Sequence, residues 1–162
     1  MTTCLGGEWD AAPMERAVFA KVAATTVSPA CLPVVIPHTS PDLTAAALRS
    51  VQPLVTGLEA AVTLMAVQVV PYPLFLDRPD VDPGRLAADL DDLASACDFP
   101  VRVVIVVARE RTSALQQAIP KGTLVVIPTR PRRWWRTTEK RLAGALRRNG
   151  HTVTLLSLER EA

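Results

Sequence analysis

The chain predicts an α/β fold, a three-layer sandwich with a five-stranded parallel sheet of order 3-2-1-4-5 and helices on both faces. Three observations predict it. Five short apolar runs alternate with amphipathic segments of helical period. Proline, glycine and asparagine fall at the joints between them. At 162 residues the chain has the length of one domain, and with 49% hydrophobic but only 4% aromatic residues its core is built from Ala, Val and Leu. Small aliphatic side chains suit close packing of helices on a sheet.

The elements follow in order. Residues 1–32 stand apart from the pattern as an N-terminal arm. Pro13 at a first helical turn, then Met14, Val18, Phe19 and Val22 on one side, predict a short amphipathic helix that Val27-Ser28-Pro29 stops. Such an arm packs on the domain or on a partner, or is a frayed leader. The α/β domain occupies 33–162. Leu32 to Ile36 is a continuously apolar first strand. Ser40-Pro41-Asp42 then reads as an N-cap, a proline at the first helical position and an early acid. The helix extends from about Leu43 to Thr56, with Leu43, Ala47, Val51 and Leu54 inward, and Gly57 ends it. Ala61 to Val70 is a second strand with few charges, as expected of a doubly covered parallel strand.

A long proline-bearing loop from Pro71 to Pro83 leads to a helix over about Gly84 to Cys97, with Leu86, Leu90 and Leu93 inward. Val101 to Val107 is the third strand. Thr112 is the expected cap of a short helix bearing Leu115, Ala118 and Ile119, which Pro120-Lys121-Gly122 ends. Thr123 to Ile127 is the fourth strand. The last helix lies between Trp134 and Arg148, with Asn149-Gly150 as its C-cap, and Thr152 to Leu158 is the fifth strand. Right-handed crossovers join such strands. In the order 3-2-1-4-5 the ligand crevice lies where the first and fourth strands part, between the loops Pro37 to Asp42 and Pro128 to Arg136.

Charge and composition exclude several classes. The net charge of +2 is too small to imply nucleic acid. Seven acidic residues fall between Asp77 and Asp98, and eight basic ones between Pro128 and Arg148 against Glu139 alone. These are two solvated helix faces, or an acidic and a basic face that pair with copies or charged partners. Cys4, Cys31 and Cys97 show no CxxC spacing and give no argument for disulfides, so a reducing, cytoplasmic setting is expected. The N-terminus lacks the features of a signal peptide, and the run Ala60 to Val70 is too short to span a bilayer. The two histidines and the scattered cysteines match no metal spacing, and no GxSxG, Walker A or GxGxxG string occurs, so no metal, cofactor or catalytic residue is expected.

VVIPHTSPDLTAAAL with AVTLMAVQVVP, and GTLVVIPTRPRRWW through HTVTLLSL, resemble the opening and closing elements of a universal stress protein, a Rossmann-like family. That resemblance implies an ATP site held by the signature G-x2-G-x9-G-[ST] after the fourth strand. Here the equivalent spacing falls on Pro128, Pro131, Arg141 and Leu142, and the family's aspartate after the first strand falls on Thr39. Glycine loops cradle phosphate because their N–H groups turn inward with no Cβ in the way. Proline supplies no N–H and fixes φ. The expected loss of two or three charge-assisted bonds, each worth roughly 1.5–3 kcal/mol, weakens ATP by orders of magnitude. A narrower stretch, Ile127-Pro128 and Pro131-Arg132-Arg133-Trp134-Trp135, resembles the soluble C-terminal domain of some amino-acid permeases of the APC superfamily.

Arg132, Arg133, Trp134, Trp135 and Arg136 form the candidate interaction patch. A tryptophan plugs the vacated cleft, or the patch is a partner surface, or it touches acidic lipid or nucleic acid. His38 is a ligand contact, a base, or a loop histidine with a local hydrogen bond. His151 reads as a turn residue. The expectation is a non-enzymatic stress-protein-like regulatory or interaction domain, homodimeric through its apolar last strand, with a membrane transporter as a possible protein partner. The alternative is a nucleotide or anion binder using His38, Thr39, Ser40, Arg130 and Arg132.

Overall fold

The computed structural model describes residues 18–19, 31–72, 74, 83–130 and 138–158. Its elements are β1 (Val18–Phe19), β2 (Pro33–Pro37), α1 (Pro41–Leu58), β3 (Ala61–Val69), α2 (Pro83–Ser95), β4 (Val101–Ala108), α3 (Arg111–Ala118), β5 (Leu124–Thr129), α4 (Thr138–Arg148) and β6 (Thr152–Ser157). The sheet order is β1-β4-β3-β2-β5-β6. Counted from β2, the five parallel strands stand in the expected order 3-2-1-4-5.

The departure is at the edge. Val18 and Phe19, expected within a helix, instead pair antiparallel with Val106 and Ile105 of β4. Both are residues that favour a pleated surface. Two bridging residues cover part of an edge that β4 otherwise leaves open. The rest of the expected helix lies outside the described residues. Cys31 is disulfide-bonded, against the expectation of free thiols, which removes the cysteines as an argument for a reducing compartment. Cys97 is free, and burial, then the Asp98 charge, pushes its thiol pKa up.

Two cores sandwich the sheet. On one face α1 and α2 bring Ala47, Leu48, Val51 and Leu90 onto Val34, Ile36, Val62 and Leu64. On the other, α3 and α4 bring Leu115, Leu142 and Leu146 onto Val35, Met65, Val125 and Ile127. Alternate residues of each central strand thus serve opposite cores, which is why β3 reads as one apolar run.

The helix ends correct three expectations. Gly57 does not end α1, which continues to Leu58, and Glu59 takes the left-handed C-cap at φ 50°. Thr112 does not cap α3; the Glu110 carboxylate does, accepting from the amides of Thr112 at 2.7 Å and Ser113 at 2.6 Å. Ser40 stands at the N-cap of α1, but its side chain makes no capping bond. The end of α4 is as expected. Gly150, at φ +87°, donates to the Arg147 carbonyl and His151 donates to Leu146, the bond pair of a Schellman turn.

Candidate functional site

The crevice opens at the carboxyl ends of β2 and β5, whose outgoing chains turn to opposite sides. His38 is the first residue beyond β2, and three contacts fix it. Its amide donates to the Met65 carbonyl at 2.7 Å, extending the β2–β3 ladder by one bond. Its Nδ1 lies 3.0 Å from the hydroxyl of Thr44, a residue with no exposed surface in the first turn of α1. Its carbonyl accepts from Arg111 Nη2 at 2.6 Å. Burial, then the Arg111 charge, lowers the imidazole pKa, and Asp89 opposes them less strongly. The ring is therefore neutral near pH 7, and its Thr44 bond is the local hydrogen bond that the sequence reading offered beside a ligand role.

Arg111 was not singled out in the sequence, yet it is the cation most integrated into this corner. It begins α3 and reaches 73 positions back along the chain to the β2 loop. Burial lowers its pKa, while Glu139 in the first turn of α4 supports the charge. One signal was legible: a basic residue at the start of a helix opposes the macrodipole and calls for another reason to be there. Arg111 thereby ties the β2 loop to the α3–α4 layer.

The remaining candidates are dispersed. The Thr39 hydroxyl is buried and has no hydrogen-bond partner among the described residues. Arg130, just past β5, lies 3.6 Å from Asp42 at the start of α1, an ion pair across the crevice mouth whose side chains are 57% and 85% exposed. Exposed pairs of this kind contribute roughly 0–1 kcal/mol. The glycine-signature spacing does not map onto one loop. Pro128 is a strand residue of β5 paired in register with Leu156. Arg141 and Leu142 lie inside α4, Leu142 buried in the core and Arg141 exposed. Pro131, and the patch Arg132, Arg133, Trp134, Trp135 and Arg136, lie outside the described residues.

A second cation organises the neighbouring loop. Arg109, directly after β4, donates through Nη1 to the carbonyls of Val70 and Pro71, both at 2.9 Å, and through Nη2 to Leu74 at 2.6 Å. Its guanidinium sits 4.2 Å from the centroid of the Tyr72 ring. His151 lies at the opposite end of the sheet, 5% exposed, with neither ring nitrogen hydrogen-bonded among the described residues. It is a core residue and not simply the turn residue expected. Among the described residues no three His, Cys, Asp or Glu side chains cluster to hold a metal, and no helix is long and apolar enough to cross a membrane.

No protein-family profile matches the chain, and no curated protein matches it. Among solved structures, it is similar to a protein from the universal stress protein family of Burkholderia pseudomallei. The two are 17% identical, over 81% of this chain and 98% of that one, with a TM-score of 0.44.

Proposed function

We propose that this is a non-enzymatic, universal stress protein-like regulatory or protein-interaction domain that lacks the family's triphosphate grip and pairs with a second copy through β6. One observation carries the reading: His38, Arg111 and Arg130 at the crevice are engaged by the fold itself. The His38 ring and carbonyl are engaged by Thr44 and Arg111, and Arg130 is drawn to Asp42. Pro41 and Pro128 contribute no N–H at either rim. A ligand entering here would have to break these contacts, and no glycine N–H nest repays it.

The dimer clause rests on β6, an edge strand of the described sheet whose Leu155 and Leu156 are only partly buried. A twin strand across a two-fold axis would cover that edge. The likeness of the PxxPRRWW stretch to a permease domain makes a transporter a reasonable protein partner.

A second reading, an anion or nucleotide held in the crevice, draws on the Thr39 hydroxyl, buried with no partner among the described residues, next along the chain from the carbonyl that Arg111 holds. Calorimetric titration with ATP separates the two. The first reading expects no micromolar affinity; micromolar binding that Thr39→Trp abolishes overturns it. Light scattering tests the dimer with Thr154→Lys, an exposed position of β6. A like charge facing its own copy should give a monomer, and an unchanged mass would remove the β6 interface.

A further inference from the structure

Away from the crevice, α3 and α4 border a groove of about 460 Å³, lined by Thr112 of α3 and by Lys140, Arg141, Gly144, Ala145 and Arg148 of α4. On α4 these residues are spaced so that 140, 144 and 148 form one row and 141 and 145 the next. Three of the six are cations and none is an acid.

Gly144 has no structural reason to be glycine. Among the described residues a Cβ there would meet only Arg148 Nη1, at an ordinary 3.6 Å, and its φ is not positive. Glycine inside a helix weakens it relative to alanine. What the missing side chain does is let the Arg148 guanidinium lie back along α4 over Gly144, within the groove that Lys140 and Arg141 also line. That choice works against the stability of α4 and helps to shape a cationic cradle.

We infer that this groove binds a compact, multiply charged oxyanion, best matched by vicinal phosphates free in solution. The guanidinium forks of Arg141 and Arg148 take phosphate oxygens in bidentate fashion, and the Thr112 hydroxyl is a further donor. The volume lies within the roughly 300–1,000 Å³ of small-molecule sites. The groove shares no residue with the contacts that hold His38, so it stands whether or not the crevice is closed to nucleotide.

The probe is inorganic pyrophosphate, titrated calorimetrically at low ionic strength. The wild-type chain should bind it, with affinity falling as salt rises. Arg141→Ala with Arg148→Ala should weaken binding about tenfold or more for each guanidinium removed. Gly144→Leu keeps every charge and favours the helix, and should also weaken binding at least about tenfold while the melting temperature holds or rises. Thr39→Trp should leave pyrophosphate affinity unchanged. The inference is overturned if the wild type shows no binding, or if Gly144→Leu binds as tightly as wild type. It is equally overturned if Thr39→Trp abolishes binding that the double arginine variant retains. Binding only to vesicles with vicinal-phosphate headgroups, with none to free pyrophosphate, also refutes the soluble ligand.

Discussion

Replacing Glu110 by glutamine removes the charge that starts α3, and α3 is the helix from which Arg111 reaches the crevice. Burial alone would raise this carboxyl's pKa. The amides of Ser113 and Thr112 outweigh it and bring the pKa from 4.5 to about 2. At about 1.36 kcal/mol per unit this sets an upper bound of roughly 3.4 kcal/mol. The side chain is exposed, so solvent screens most of that, and about 1 kcal/mol is the working figure, in line with measured N-cap replacements. Because the folded pKa is depressed, the stabilisation is complete above 4.5 and is lost as pH falls toward about 2. Urea denaturation of wild type and Glu110→Gln should therefore differ by about 1 kcal/mol at pH 7, a midpoint shift of roughly 0.3–1 M. The two curves should draw together as pH approaches 2. An undiminished difference in acid, or none at pH 7, would refute the argument that the charge does the capping.

Two further predictions concern the histidines and the β3 loop. Burial lowers the pKa of His151, with Lys121 adding to the effect, and that of His38, with Arg111 adding; below about pH 6.5 the unfolded chain binds protons that the folded chain refuses. Stability should thus fall as pH drops from 7 to 5. His151→Leu should flatten that fall and raise the melting temperature at pH 5, since leucine suits the apolar contact of a Schellman turn; a steeper acid slope in the variant would contradict this. Arg109→Ala removes three carbonyl contacts around residues 70–74, so hydrogen exchange and proteolysis there should accelerate with little change elsewhere. Unchanged exchange would show that the loop holds itself.

The scaffold was legible because its strands are buried on both faces. Runs such as VTLMAVQVV carry no polar face, and only a doubly covered parallel sheet accounts for several of them separated by helices. The Schellman end of α4 was legible because Gly150 is a chemical requirement of a positive φ. Thr112 was misread as a cap because threonine is the commoner choice, while a glutamate two residues earlier reaches both amides. Gly57 was misread because Glu59 accepts a left-handed backbone that statistics assign to glycine. Arg111 and Arg109 escaped notice since their partners are carbonyls at least 35 positions away, and a backbone carbonyl leaves no mark in sequence.

By itself the sequence determined which segments form the five parallel strands, which faces of the helices are apolar, and the placement of proline at the crevice rims. Those properties are local. Only the tertiary structure decided that the strands stand in the order 3-2-1-4-5, that Val18–Phe19 joins the sheet, that Arg111 and Thr44 hold His38, and that Arg148 lies back over Gly144 in a groove shared with Thr112. Each of these depends on how far a long side chain or a distant strand reaches once helices are packed, and periodicity carries no information about that reach.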